Sequence, residues 1–205
     1  MSAHHFVADL HLWHEAVLRY DKRPFATIAQ HDLALAQNCA QTGHALTGVV
    51  FWILGDVART EQALARFMEE VRPHWRQVNL IRGNHDDRVA WKRRDLFDEA
   101  HEARYLRISP DVRVYLSHYA HRVWCNSHHG AFHLHGHSHG ALPRWGRSMD
   151  AGANCIDYRP IHIDTVVSIL EKSEPPNHHR NVQSTDYQED HADRHAHHQQ
   201  GSVRV

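Results

Sequence analysis

Short apolar runs separated by polar, glycine-punctuated segments fill the first 172 positions, and each run has the length of a buried strand. Residues 5–9 (HFVAD) predict a strand ending on a polar side chain. Residues 27–42 are rich in alanine and leucine, with Gly43 just beyond, and predict a helix. The β-branched and aromatic run at 49–54 (VVFWIL), bounded by glycines, predicts a strand buried on both faces. Residues 60–71 put Leu64, Phe67, Met68 and Val71 on one helical face, with Glu61 suited to its N-terminus, and residues 78–81 predict a third buried strand. Strand-like segments follow at 105–108, 112–116 and 131–135. A closing helix runs through Val166, Val167, Ile169 and Leu170, with Asp164 placed to cap it. Strands alternating with helices first, and mostly strands afterwards, predict an α/β fold in which a β-sandwich is flanked by helices.

The pattern stops near Pro175-Pro176. Residues 173–205 hold almost no apolar side chains and six histidines, so burial cannot offset the entropy of ordering them. We therefore expect residues 1–172 to form one folded domain and residues 173–205 a disordered, His-rich polar tail. The tail carries three arginines and five acids, which leaves the domain near +1 within a chain of formal net charge −1. That balance gives no basic excess to drive non-specific nucleic-acid binding. The longest apolar run, 49–54, is far short of the roughly 18 residues of a membrane span. Three scattered cysteines, Cys39, Cys125 and Cys155, form neither a disulfide framework nor a CxxC zinc site. A cytoplasmic protein with no membrane partner is the expectation.

Histidine is the anomaly, at 24 of 205 residues, and eight of these fall between His118 and His139. The informative ones stand directly after apolar runs. The first strand ends in Asp9-Leu10-His11, the second in Gly55-Asp56 and the third in Arg82-Gly83-Asn84-His85-Asp86. Later strands end in Ser117-His118 and in Gly136-His137-Ser138-His139. Open α/β sheets gather ligands at the carboxyl ends of their strands, so these clusters can converge on a metal site there. Carboxylate, amide and imidazole donors together suit Mn, Fe, Zn or Ni rather than a thiolate site or an all-oxygen calcium cage. On extended chain, Asp9 with His11 and His137 with His139 would share a side. His121, one helical turn beyond His118, is an alternative ligand or a substrate contact.

In this order the motifs DLH, GD, GNHD, SH and GHSH resemble the calcineurin-like metallophosphoesterases, across nearly all of the predicted domain. The strings DLHLWHEAVLRYDKRPF and NCIDYRPI further resemble a small bacterial and phage subgroup of predicted phosphoesterases. The resemblance implies a metallophosphoesterase-like sandwich and two divalent cations per chain, manganese first. Asp9, His11 and His139 would hold one, Asn84, His118 and His137 the other, with Asp56 shared. It also implies hydrolysis of a phosphodiester in preference to a phosphomonoester, by a hydroxide held between the cations. His85 corresponds to the family histidine that protonates the leaving group.

One position departs from the family, where GDxxD is common: Arg59 stands at the second acid. His85 then needs another orienting partner, for which Asp86 and Asp87 are candidates, and Arg59 is free to contact a phosphate oxygen. The expected substrate is a phosphorylated small molecule or nucleotide. The alternatives are a nuclease or nucleotide phosphatase of the same superfamily, a non-catalytic metal-binding module, and a metal-storage protein working through the tail. The run Trp91-Lys92-Arg93-Arg94 reads as a solvated helix face or, under the nuclease alternative, as a contact that with Arg59 holds a nucleic-acid backbone.

Overall fold

The apolar runs become two facing sheets. The computed structural model describes residues 4–44 and 48–175. In chain order its elements are β1 (His4–Val7), α1 (Ala16–Tyr20), α2 (Ile28–His44), β2 (Val50–Ile53), α3 (Glu61–Val71), β3 (Gln77–Ile81) and β4 (Glu99–His101). These are followed by β5 (Ala103–Arg107), β6 (Arg113–Ser117), β7 (Phe132–His135), β8 (Ser148–Asp150), β9 (Ile161–His162) and α4 (Ile163–Leu170). The first sheet has the order β4-β3-β2-β1-β9, parallel except for the β1–β9 pair. The second has the order β5-β6-β7-β8, with β5 antiparallel to β6 and the other pairs parallel. From residue 176 onwards the predicted tail lies outside the described residues.

Alternation along each strand feeds two cores. Val7, Phe51, Ile53, Val78 and Leu80 meet the apolar faces of α2 (Leu35, Cys39) and α3 (Leu64, Phe67, Met68, Val71). Phe6, Trp52, Leu54 and Ile81 point the other way, onto Val114, Leu116, Phe132 and Leu134 of the second sheet, and α4 adds Ile163, Val166 and Leu170. Because both faces of β1, β2 and β3 are covered, their sequences read as nearly unbroken apolar runs. The architecture is α/β, with mixed sheets flanked by helices.

Several local expectations are corrected. The second helix runs through Gly43 to His44 instead of stopping before the glycine. A Cβ on Gly43 would lie 2.7 Å from the Trp75 indole and from the His74 carbonyl, so glycine is there for close packing, not as a cap. His162, not Asp164, caps α4, its Nδ1 accepting the Asp164 N–H at 3.1 Å. Thr60 caps α3 by accepting the Ala63 N–H at 3.2 Å. Residues 91–93 form turns and Arg94 opens a short 3₁₀ helix, Arg94–Leu96. Arg93 pairs with Asp95 (3.2 Å), and the Arg82 and Arg94 guanidinium groups lie over the Trp91 ring. No described helix is long and apolar enough to cross a membrane.

Candidate metal centre

Parallel pairing brings the carboxyl ends of β1, β2 and β3 to one rim, and the β6 and β7 ends meet them there. Backbone hydrogen bonds lace the loops together. Asp9 N–H donates to Gly55 O (3.0 Å), His11 N–H to Asp56 O (2.9 Å) and Gly136 N–H to His118 O (2.9 Å). The segments carrying the motifs are not extended. Asp9, His11, Asp56, His137 and His139 all have φ between 49° and 66°, which corrects the alternating-strand reading of Asp9/His11 and His137/His139. Left-handed backbone at non-glycine residues costs of order 1 kcal/mol or more each and persists only where surroundings enforce it. A Cβ on Gly83 would fall 2.3 Å from Asp56 Oδ1, so the GNHD loop can approach Asp56 only as glycine.

Two donor clusters result, Asp9–His11–His139 and Asp56–His118–His137, each with its ligand atoms within 4.8 Å of one another. In the first, the Nε2 atoms of His11 and His139 face each other at 3.2 Å. Asp9 Oδ2 accepts the His137 N–H, while Asp9 Oδ1 is buried without a hydrogen-bond partner. In the second, Asn84 Oδ1 lies 2.9 Å from both His118 Nε2 and His137 Nδ1. Asp56 Oδ2 stands between the clusters, 3.7 Å from His11 Nε2 and 3.5 Å from His118 Nε2.

The electrostatics fit divalent cations. Burial pushes the Asp9 carboxyl up to about 7, since its orphaned oxygen has no positive partner close enough to outweigh desolvation. Burial alone would also raise Asp56 and lower His118, but their mutual attraction prevails, holding Asp56 at about 2 and lifting His118 to about 9. His118 Nδ1 faces the Leu54 carbonyl at 2.8 Å and Nε2 faces Asn84 Oδ1, two acceptors that a neutral imidazole cannot serve together. A cation at Nε2 would take the place of the second proton. His11, held down to about 3 chiefly by burial, keeps a free lone pair for the same purpose. Imidazole, carboxylate and amide donors suit borderline divalent metals, so the residues present could hold metal ions.

A buried polar network supports the first cluster. Asp21 Oδ2 accepts from His139 Nδ1 at 2.6 Å, which leaves His139 Nε2 turned into the cluster. Arg23, itself buried, donates to Asp21 (3.1 Å), to the carbonyls of Asp9 (2.8 Å) and Leu10 (3.2 Å), and meets His31 Nε2 at 2.8 Å. His31 in turn pairs with Asp32 at 2.8 Å. Asp86 accepts the N–H groups of Asp56 (2.9 Å), Val57 (2.9 Å) and Gly83 (2.7 Å), tying the GD loop to the GNHD loop. Asp150 accepts from Ser138 Oγ (2.7 Å) and Gly140 N–H (2.8 Å) and so steadies the GHSH turn. Of these acids the sequence marks only Asp86, as a candidate partner for His85, and its place is instead on the backbone amides of the two loops. Asp21 and Arg23 do lie inside the longer string that stood out.

His85 is exposed, its ring packed edge-on against His11 (5.7 Å) and His14 (6.2 Å), and its N–H donates to Asp56 Oδ1 at 2.9 Å. Neither candidate orients it, because Asp86 is spent on backbone amides and Asp87 pairs with Arg82. Arg59 is exposed, and its charge reaches His14. Among the described residues it makes no ion pair. His121 packs against Tyr115 (5.6 Å) and His133 (5.5 Å) and joins neither donor cluster, whereas His118 joins the second.

No family model matches the chain. An uncharacterised protein of Methanocaldococcus jannaschii, MJ1445, is 25% identical over 169 residues, covering 82% of this chain and 91% of that protein. Among solved structures, the protein of unknown function AQ665 from Aquifex aeolicus superposes with a TM-score of 0.64 at 19% identity, covering 83% of this chain and 100% of that one. That likeness concerns the fold alone. The Pseudomonas putida nuclease MPE gives a TM-score of 0.39 at 22% identity, over 64% of this chain and 59% of that one.

Proposed function

We propose that the chain is a dinuclear, metal-dependent phosphoesterase of the calcineurin-like type, acting on phosphodiesters in preference to phosphomonoesters and using manganese. One observation carries the reading: Asp56 Oδ2 lies between a donor cluster from β1 and β7 and a second from β3, β6 and β7. A carboxylate shared between two imidazole-rich clusters suits a pair of neighbouring cations, the setting in which two-metal phosphoryl chemistry works. Two cations held there would supply Lewis-acid stabilisation of the phosphoryl oxygens and would lower the pKa of a water.

The chain's own groups do the rest. Asp9, His11 and His139 would hold one cation and Asn84, His118 and His137 the other, with Asp56 available to both. His85, on the open side of the centre, gives its proton to the leaving oxygen. Arg59 and His14 receive a non-bridging phosphate oxygen, the guanidinium by paired hydrogen bonds. Catalysis resides in residues 1–172, with residues 173–205 dispensable. The test is hydrolysis of generic diesters and monoesters by manganese-loaded protein. Turnover of diesters above monoesters is expected, and no hydrolysis of either class at full metal occupancy overturns the reading.

A further inference from the structure

The metal loop carries one residue that the centre does not use. Trp13 stands between Leu12 and His14 on left-handed backbone (φ 58°), and 53% of its surface is exposed. Its amide is held by Asp32 Oδ2 at 2.9 Å, and Asp32 is anchored through His31 to the buried Arg23, so the indole stands on a fixed support. Trp13 lines a cavity of about 310 Å³ between the N-terminal half of α2 and the length of α3. Leu33, 57% exposed, and Phe67 supply apolar wall, and Gln62 supplies an amide. Two large exposed apolar side chains on one small cavity mark a binding surface rather than a solvated one.

The cavity and the metal centre share a rim. Leu12 N–H donates to Val57 O and Arg59 N–H to Leu12 O, both at 2.9 Å, which laces the Trp13 loop to the loop of Asp56 and Arg59. Thr60, on the cavity wall, directly follows Arg59, and His14, next to Trp13, packs against His11 and His85. Charge then separates the two compartments. The charged side chains lining the cavity are Asp32, Glu70 and Arg66, an acidic excess that disfavours a second phosphate, while Arg59 and the two cation sites favour one outside it. The occupant is therefore the neutral end of an ester whose phosphate sits at the metals.

We propose that this cavity binds the leaving group of the phosphoester, and that this group is a neutral planar ring system of nucleoside size, stacked on Trp13 with its polar edge towards Gln62. The assignment of a leaving group rests on the phosphoesterase reading. A cavity of this volume is the size of small-ligand sites, and a flat ring buries the indole and leucine surfaces that a polyol would leave wet.

Adenosine, which carries no ester, tests the cavity apart from catalysis. Titrated into the full-length manganese-loaded protein by calorimetry, and into its magnesium-loaded form by NMR, adenosine should saturate one site and shift the Trp13 indole N–H resonance. The neutral polyol myo-inositol should do neither. Ala63→Arg, which fills the cavity from α3, should weaken adenosine binding by about tenfold or more without changing the bound metal. No saturable adenosine binding, equal binding of inositol, or binding that leaves the Trp13 resonance in place would each overturn the proposal, whatever the variant does. Hydrolysis of esters without adenosine binding overturns the cavity assignment alone. Adenosine binding without hydrolysis of any ester overturns the catalytic reading and, with it, the leaving-group role.

Discussion

Asp9, His11, Asp56, His137 and His139 hold φ values that L-residues avoid, and backbone hydrogen bonds accepted by neighbouring acids, together with one donated by Arg23, keep these loops in place. Some of the residues that do the holding carry no mark in the linear sequence. Asp9 directly follows an apolar run and Asp86 belongs to the GNHD motif, whereas Asp21 and Asp150 are single acids without a spacing mark. Asp21 matters because it sets the imidazole tautomer of His139. Asp21→Ala should lower metal affinity by about 10–100-fold, with Asp21→Asn recovering part of the loss, as read by titration against a competing chelator. Unchanged affinity in the alanine variant would contradict this role. His85 touches no donor cluster through its ring nitrogens, so His85→Ala should keep its metal while kcat falls by roughly 10²–10⁴-fold. A fully active variant would remove His85 from the proton step.

At the level of elements, the buried parallel strands were legible because burial on both faces forces unbroken apolar runs, as at Val50–Ile53. What the pattern could not show was how the chain leaves each strand. A period of two puts Asp9 and His11 on one side of an extended segment; the chain reaches a similar convergence by alternate left-handed residues instead. Short, half-buried β4, β8 and β9 left no periodic trace. Gly43 departs furthest from its sequence pattern. It resembles a helix stop by position but is a contact surface for Trp75. Gly43→Ala should therefore destabilise the fold by about 1–3 kcal/mol through overpacking, even though alanine is the better helix former. Urea unfolding checks the sign, and an unchanged or raised midpoint would show that Trp75 yields.

For the whole molecule, the excess of histidine divides by environment. Beside the donor clusters, His133 is fully buried, with Nδ1 at 3.1 Å from the Tyr115 carbonyl and Nε2 accepting the His121 N–H at 3.2 Å, so one proton satisfies both contacts. Burial holds it down to about 3, and His5, also buried, to about 4. Unfolded histidine titrates near 6.5, so below that pH the unfolded chain binds more protons than the folded one. Stability from these two groups is complete above about pH 6.5 and is lost as pH falls towards 4, by about 1.4 kcal/mol per pH unit for each. Urea unfolding of metal-free protein between pH 7.5 and about 5 should show stability falling as pH falls, the burial-lowered His11 adding to the loss and Asp9, raised to about 7, opposing it, and His133→Gln should make the slope shallower. A slope unaltered by the substitution would place the acid sensitivity elsewhere. Whether Asp56 joins two cation sites is read most directly by elemental analysis of wild-type and Asp56→Asn protein after manganese loading and removal of the excess. Two equivalents in the wild type and loss from both sites in the variant are expected. Fewer than two in the wild type, or two retained by the variant, would contradict a shared dinuclear centre.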